Sequence, residues 1–320
     1  MRIVFFSTTH GTNVNAIYEK IQELGHELAL YVTTRGLPSM VTSNHLKAFE
    51  ERIKDLHPNI PTLIINTIKG NLPAIITALQ PDIGLVKRFA FRLNKTILSI
   101  PKYGFVNLHP SLLPKYRGPN PIGWQILNNE KFFGFTFHYM NTEYDTGRVI
   151  LQGTRPLRPS DDFSSVYVQL PQILRENMAT VFELMQKGYP GEIQNDDEHS
   201  YAPFFTLEER IIDWTKTAIE INCLIRATSV WNERNRHLTM DHLVRPALFK
   251  YDGKMIRPLK SIIVNPNKYD NSSELESRQL FIRDDTGDVK VGEITKQQTG
   301  ELLVRTGDGQ LLITDYESTE

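Results

Sequence analysis

Between Ile3 and His109 this chain of 320 residues switches repeatedly between short unbroken apolar runs and apolar residues at helical spacing, which leaves few folds open. Ile3 to Phe6 is continuously apolar; a polar turn with Gly11 follows, then Val14, Ile17, Ile21 and Leu24 recur on one helical face, and Gly25 closes the pattern. An apolar run without polar alternation is a strand buried on both faces, as happens when helices cover both sides of a parallel sheet. The pattern repeats. Leu28 to Val32 reads as a strand, Leu46 to Leu56 as a helix, Thr62 to Ile65 as a strand, Leu72 to Leu79 as a helix and Ile83 to Val86 as a strand. Phe105 to Leu108, Phe133 to Met140 and Val149 to Gln152 extend the sheet, and a helical pattern from Phe163 to about Met185 stops at Lys187-Gly188-Tyr189-Pro190-Gly191. These features predict an α/β, doubly wound, mostly parallel, Rossmann-like domain over residues 1–190.

Residues 191–206 carry Asn195-Asp196-Asp197-Glu198 with little apolar periodicity and read as a linker. Residues 207–320 read as a helix from Asp213 to about Val230, then short β runs broken by Asp252-Gly253, Thr286-Gly287, Thr299-Gly300 and Asp308-Gly309. Short strands with glycine turns predict a small β-barrel, OB-like in size.

Composition removes several classes of function. The 36 basic residues nearly balance the 37 acidic ones, so no global field recruits nucleic acid or an anionic membrane, and a polyanionic partner requires a local patch. The lone cysteine, Cys223, cannot form an internal disulfide and has no metal-ligand spacing around it, so no metal is expected and a reducing cytoplasmic setting fits. The apolar start, Ile3 to Phe6, is shorter than a signal core, and no stretch approaches the length that spans a bilayer.

The chemistry gathers in Phe105-Val106-Asn107-Leu108-His109-Pro110-Ser111-Leu112-Leu113-Pro114-Lys115-Tyr116-Arg117-Gly118. Two apart in a strand, Asn107 and His109 share one face, and Pro110 marks the strand end, at the carboxyl edge where open α/β sheets bind ligands. Asn141-Thr142-Glu143-Tyr144-Asp145-Thr146-Gly147 follows the strand Phe133 to Met140, which would bring Asp145 to the same edge. An amide donor, an imidazole and a carboxylate suit acyl transfer to an amine, in which charge develops on a carbonyl oxygen and a proton leaves a nitrogen.

Asn107-Leu108-His109-Pro110-Ser111-Leu112-Leu113-Pro114, with Arg117-Gly118, Pro121, Gly134-Phe135-Thr136 and Asp145-Thr146-Gly147, resembles the folate-dependent formyltransferase family. The resemblance implies Asn107, His109 and Asp145 as catalytic residues and 10-formyltetrahydrofolate as donor. It implies donor binding by Lys87, Arg88, Phe89, Ala90, Phe91 and Leu93 with Asn141 and Tyr144, and acceptor contacts at Ser111, Leu112, Leu113, Pro114 and Arg117. Ile212-Asp213-Trp214-Thr215-Lys216, Ile225-Arg226-Ala227 and Gly300 to Gly309 are similar to the carboxy-terminal domain of methionyl-tRNA formyltransferases, so the resemblance covers nearly the whole chain.

The acceptor it favours is initiator methionyl-tRNA, with a nucleotide-linked amino sugar or another small, phosphorylated amine as the rival; 10-formyltetrahydrofolate hydrolysis is a third outcome. Pro110 stands where the tRNA enzymes usually have glycine, and Thr33 to Asn44 holds one cation, Arg35, where those enzymes carry a basic insertion. The window Arg226 to Lys260 points the other way. It carries Arg226, Arg234, Arg236, Arg245, Lys250, Lys254, Arg257 and Lys260 against Glu233, Asp241 and Asp252. The turn Thr8-Thr9-His10-Gly11-Thr12-Asn13 lacks the dinucleotide glycine pattern. It faintly resembles a phosphate-binding turn within the family, which makes Gly11, Thr12 and Asn13 candidates for a phosphorylated acceptor.

Overall fold

The structure, a computed structural model, describes residues 1–8, 11–35, 43–229, 246–264, 290–297 and 300–319. The turn residues Thr9 and His10, most of the stretch Thr33 to Asn44, the residues Glu233, Arg234, Arg236, Asp241 and Arg245 of the basic window, the Thr286-Gly287 turn and Thr299 lie outside the described residues.

In chain order the first unit comprises β1 (Arg2–Ser7), α1 (Gly11–Glu23), β2 (Glu27–Thr34), α2 (Ser43–Lys54), β3 (Thr62–Ile65), α3 (Leu72–Leu79), β4 (Ile83–Lys87), α4 (Lys95–Leu98), β5 (Phe105–His109), α5 (Pro121–Leu127), β6 (Phe132–Tyr139), β7 (Val149–Pro156), α6 (Phe163–Tyr167) and α7 (Leu170–Gln186). The seven strands form one sheet in the order β3-β2-β1-β4-β5-β6-β7. Pairing is parallel from β3 through β5, then antiparallel for β5 with β6 and β6 with β7.

Alternation along the strands explains both faces. Ile3, Phe5, Tyr31, Leu85, Val106, Leu108, Phe135 and Phe137 point to a core completed by α1 and α7. Val4, Phe6, Val32, Val86 and Phe105 point to the other side, where Leu72 and Ile76 of α3 and Ile97 of α4 cover them. Asn107 and His109 have the parity of Phe105 and face this second side, past the reach of those helices. Loops take over there.

The helical pattern from Phe163 to Met185 is two helices, because Pro171 has no N–H to continue the first and sits instead in the opening turn of α7. Residues 192–202, expected as a linker, lie against the first unit: Glu192 and Val149 exchange backbone hydrogen bonds at 2.8 Å, and Ala202 N–H donates to the Arg117 carbonyl at 2.7 Å.

The second unit begins with a short α8 (Leu207–Arg210) and α9 (Ala218–Thr228). The helix starts later than its apolar pattern, since Asp213 accepts from the N–H and hydroxyl of Thr215 in a local turn and Thr217 with Glu220 forms a capping box. Strands β8 (Phe249–Tyr251), β9 (Lys254–Ile263), β10 (Ile294–Lys296), β11 (Leu302–Arg305) and β12 (Gln310–Thr319) follow. They pair antiparallel in the order β10-β11-β12-β9-β8, an antiparallel half-barrel packed on Ile221 and Ile225 of α9. Asp252 and Gly253, both at positive φ (50° and 73°), make the tight β8–β9 hairpin that their sequence signals. Among the described residues no helix is long and apolar enough to cross a membrane.

Gly84 of β4 marks how closely the strands' second face is filled. A Cβ there would lie 2.2 Å from the ring of Phe105, which is itself buried on all sides. Gly84→Ala should therefore cost about 1–3 kcal/mol, read as a lower denaturation midpoint. An unchanged midpoint would mean that the ring has room to shift.

Candidate active site

The site is built on the carboxyl end of β5. Pro110 ends the strand, and residues 110–118 double back over it through a cis Leu113–Pro114 bond and left-handed Tyr116 and Gly118 (φ 60° and 105°). This return brings the Tyr116 carbonyl to His109, which donates to it from Nε2 at 2.8 Å. A carbonyl accepts only from an N–H, so Nε2 carries a proton and Nδ1 is the nitrogen left for chemistry. That atom faces Asp145, with Oδ1 at 3.5 Å.

Asp145 arrives by a different route from the one its sequence position suggests. Because β6 runs antiparallel to β5, Tyr139 at its end pairs with Val106 near the start of β5, not with the carboxyl edge. The loop after β6 then folds back across the sheet face to reach His109. Gly147 makes the fold-back possible: a Cβ there would sit 1.6 Å from the Tyr139 carbonyl oxygen, a contact that no side chain can make. Asp145 is left-handed (φ 56°), and its Oδ2 accepts from the Gly118 N–H at 2.9 Å.

The antiparallel register adds a residue that inspection of the sequence leaves without a role. His138 pairs with Asn107 across the β5–β6 ladder, on the same face. Its Nδ1–H donates to the Tyr139 carbonyl at 2.8 Å, so Nε2 is an acceptor, and Asn107 donates to it from Nδ2 at 3.1 Å. The amide of Asn107 is thereby turned with one N–H spent and the other free to point outward. Burial holds the His138 imidazole neutral, with its pKa lowered to about 4; the Asp145 carboxylate opposes this shift and His109 adds to it. The signal was present in the parity of β6, where Thr136 and His138 alternate against Phe133, Phe135 and Phe137, but its meaning depends on the partner strand.

The remaining candidates divide between two surroundings. Residues 87–93 leave β4 beside the site. The Lys87 and Arg88 carbonyls accept from Ser7 Oγ and from Thr8, which pins this loop to the end of β1. Arg92 crosses to the β6–β7 loop, donating to the Thr142 carbonyl and to Glu143 and lying over the Tyr144 ring at 5.3 Å. Phe89 and Phe91 meet edge to face at 5.9 Å and Leu93 is buried, while Ala90, Asn141 and Tyr144 are exposed. Asn141 closes its own loop on Thr146. Lys87 is not a solvated cation: it is buried over the Tyr167 ring at 5.2 Å, and desolvation lowers its pKa.

The residues expected at the acceptor lie mainly in the supporting framework. Ser111 Oγ donates to the Lys115 carbonyl, the Ser111 carbonyl and Leu113 N–H both meet the Thr136 hydroxyl, and Gln152 donates to the Leu113 carbonyl beside Pro114. Leu112 is 40% exposed and Leu113 buried. Arg117 turns away from the opening, to Gln194 Oε1 and Asp196 Oδ1, each at 2.7 Å from Nη2. At the far loop, Gly11 opens α1 buried, with Thr12 exposed and Asn13 half-buried.

A strand-end amide and imidazole with a carboxylate brought to them, on a doubly wound sheet, form a group of side chains suited to acyl transfer. Residues 1–181 match the formyl transferase family, and residues 205–319 match the formyl transferase C-terminal domain. The chain belongs to the folate-dependent formyltransferase family. It is 28% identical to the methionyl-tRNA formyltransferase of Caldanaerobacter subterraneus subsp. tengcongensis over 95% of both chains, and 32% identical to that of Alkaliphilus oremlandii over 77% of this chain and 76% of the other. Among solved structures it resembles the N-formyltransferase of Helicobacter canadensis in complex with folinic acid and dTDP-3-aminofucose (TM-score 0.63, 17% identity, 99% of both chains). It also resembles HypX of Aquifex aeolicus in complex with tetrahydrofolic acid (TM-score 0.64, 18% identity), covering all of this chain but only 44% of HypX.

The state of His138 gives the site a measurable pH dependence. In the unfolded chain its imidazole titrates near 6.5, and in the fold near 4, so unfolding takes up a proton between these values. Stability contributed by the neutral ring is complete above about pH 6.5 and is lost as pH falls toward 4. The stability difference between the wild type and His138→Gln should accordingly shrink over that window in denaturant titrations at successive pH values. A difference independent of pH would rule out a buried neutral ring.

Proposed function

We propose that this chain moves a formyl group from 10-formyltetrahydrofolate to a primary amine, with Asn107, His109 and Asp145 as the catalytic residues. The observation that carries this reading is the convergence of Asn107 and His109 from the end of β5 with Asp145 from the β6–β7 loop, next to a loop pair tied by Arg92. Aromatic walls from Phe89, Phe91 and Tyr144 suit a flat heteroaromatic ring, and Lys87, Arg88, Ala90, Leu93 and Asn141 complete the same two loops.

The bound donor supplies an electrophilic formyl carbon. As a neutral amine attacks it, the free N–H of Asn107 donates to the carbonyl oxygen, where negative charge grows. Asp145 receives the proton that the amine releases, directly or through one water, and returns a proton to the leaving nitrogen. His109, held at Nε2 by Tyr116, presents Nδ1 to the same carboxylate, so the one proton taken from the amine is shared between Asp145 and Nδ1 until it returns to the leaving nitrogen, and while it sits on Nδ1 it adds positive charge near the developing oxyanion. Neutral His138 holds the Asn107 amide in its donating orientation.

For the acceptor we favour initiator methionyl-tRNA, supported by full-length relatives that bear that activity's name. Arg226 is not among the phosphate-facing cations in this reading, since its guanidinium is taken up by Asn222 Oδ1 and the Asp161 carbonyl. Lys250, Lys254 and Lys260 are exposed.

His109→Ala or Asp145→Ala should lower turnover about 10²-fold or more, and Asn107→Ala about 10² to 10³-fold, with little loss of stability. Wild-type turnover in a variant removes that residue from the mechanism. The acceptor is decided by offering methionyl-tRNA and a panel of nucleotide-linked amino sugars side by side with the formylated folate. Efficient use of a sugar without tRNA formylation overturns the tRNA, and formate release that needs no amine identifies a hydrolase. With tRNA the apparent affinity should fall steeply as salt rises.

A further inference from the structure

Resting on that reading, we infer that Gln194 is a positioning residue for the catalytic carboxylate, set in the segment that joins the two units. Its side chain is buried, 8% exposed, and each of its polar atoms is in use. Nε2 donates to the carbonyl of Asp145 at 2.8 Å and to that of Gly147 at 2.7 Å. Oε1 accepts from Arg117 Nε at 3.0 Å and Nη2 at 2.7 Å. One amide thus ties the loop that carries Asp145 to the loop that holds His109.

The arrangement is a closed ring of contacts around the reacting pair. Tyr116 takes the Nε2–H of His109, and Gly118 gives its N–H to Asp145. Arg117 lies between them in sequence, and Gln194 binds its guanidinium on one side and the Asp145 backbone on the other. Asp145 is left-handed, a conformation that aspartate tolerates better than most side chains, and the donors of Gln194 fix the backbone in it. The same segment reinforces the ring: Ser200 accepts from the Tyr116 and Arg117 N–H groups at 2.8 and 2.9 Å, and Asn120 N–H donates to the Ala202 carbonyl at 3.0 Å. Residues 192–202 fall between the two regions that match the family's domains, at 1–181 and 205–319. The catalytic geometry therefore depends on the stretch leading to the second unit, and a shift of that stretch is felt at Asp145.

Gln194→Ala removes both sets of contacts, whereas Gln194→Glu keeps the acceptor for Arg117 but sets carboxylate oxygens against two carbonyls. In the full chain both should lower kcat about 10- to 100-fold with KM for donor and acceptor nearly unchanged, because orientation and not binding is lost. Tm should stay within about 4 °C of the wild type in both variants. Hydrogen exchange at the amides of residues 143–147 should quicken in either variant. That readout needs no activity, so it tests Gln194 even if no amine proves to be formylated and the proposed reaction itself fails. Wild-type kcat in both variants overturns the inference. So does unchanged exchange at 143–147, or a loss of turnover that comes with a large fall in Tm or with a matching rise in KM.

Discussion

The antiparallel pairing of β5 with β6 is the contact on which the site depends, because it decides which side chains stand beside Asn107 and His109 and from where the carboxylate must come. A parallel neighbour would have delivered its loop directly to the carboxyl edge. The antiparallel one ends at the opposite edge, so its loop has to travel back over the sheet, and in doing so it forms a roof over the strand face that α3 and α4 leave open. The reversal also sets His138 opposite Asn107, replacing what would otherwise be a backbone-only contact with a side-chain acceptor.

A polar cluster in this position carries a desolvation cost that hydrogen bonds must offset. His138 meets it by staying neutral and using both nitrogens. His109 uses one nitrogen on a backbone carbonyl and keeps the other toward Asp145, while Asp145 takes a backbone N–H on its second oxygen. The site is thus rigid where it must be and open at two points: the outward N–H of Asn107, and the Nδ1–Oδ1 pair, whose 3.5 Å gap is wider than a settled hydrogen bond. Backbone conformations that few residues tolerate make the approach possible, at Gly118 and Asp145 through positive φ and at Gly147 through contact with the Tyr139 carbonyl.

The buried cation Lys87 has a different place in the architecture. Its parity on β4 matches Leu85, which directs it to the helix-covered side and over Tyr167, away from the face that holds Asn107 and His109. Tyr167 also accepts from Arg88 Nη1 at 2.7 Å, so α6 is joined to the start of the 87–93 loop through one phenol. The loop's inner end is therefore packed, and its outer part, from Phe89 onward, is what remains to meet a ligand.

Much of this was legible in the sequence. Unbroken apolar runs alternating with helical spacing point to a two-sided parallel sheet, in which helices on both faces bury a run such as Ile3 to Phe6. The Asn107 and His109 spacing puts both on one face by strand geometry alone, and the motif around them, with Asp145-Thr146-Gly147, identified the family. Tertiary structure decided what spacing along the chain cannot encode. The direction of β6 determined the path of Asp145 and the partnership of His138 with Asn107; the return of residues 192–202 turned an apparent linker into the support of the loops that carry Tyr116 and Asp145; and the same return drew Arg117 to Gln194 and away from the opening. Each is a contact between residues far apart in sequence, where local propensity and periodicity carry no information and only the packed chain brings the partners together.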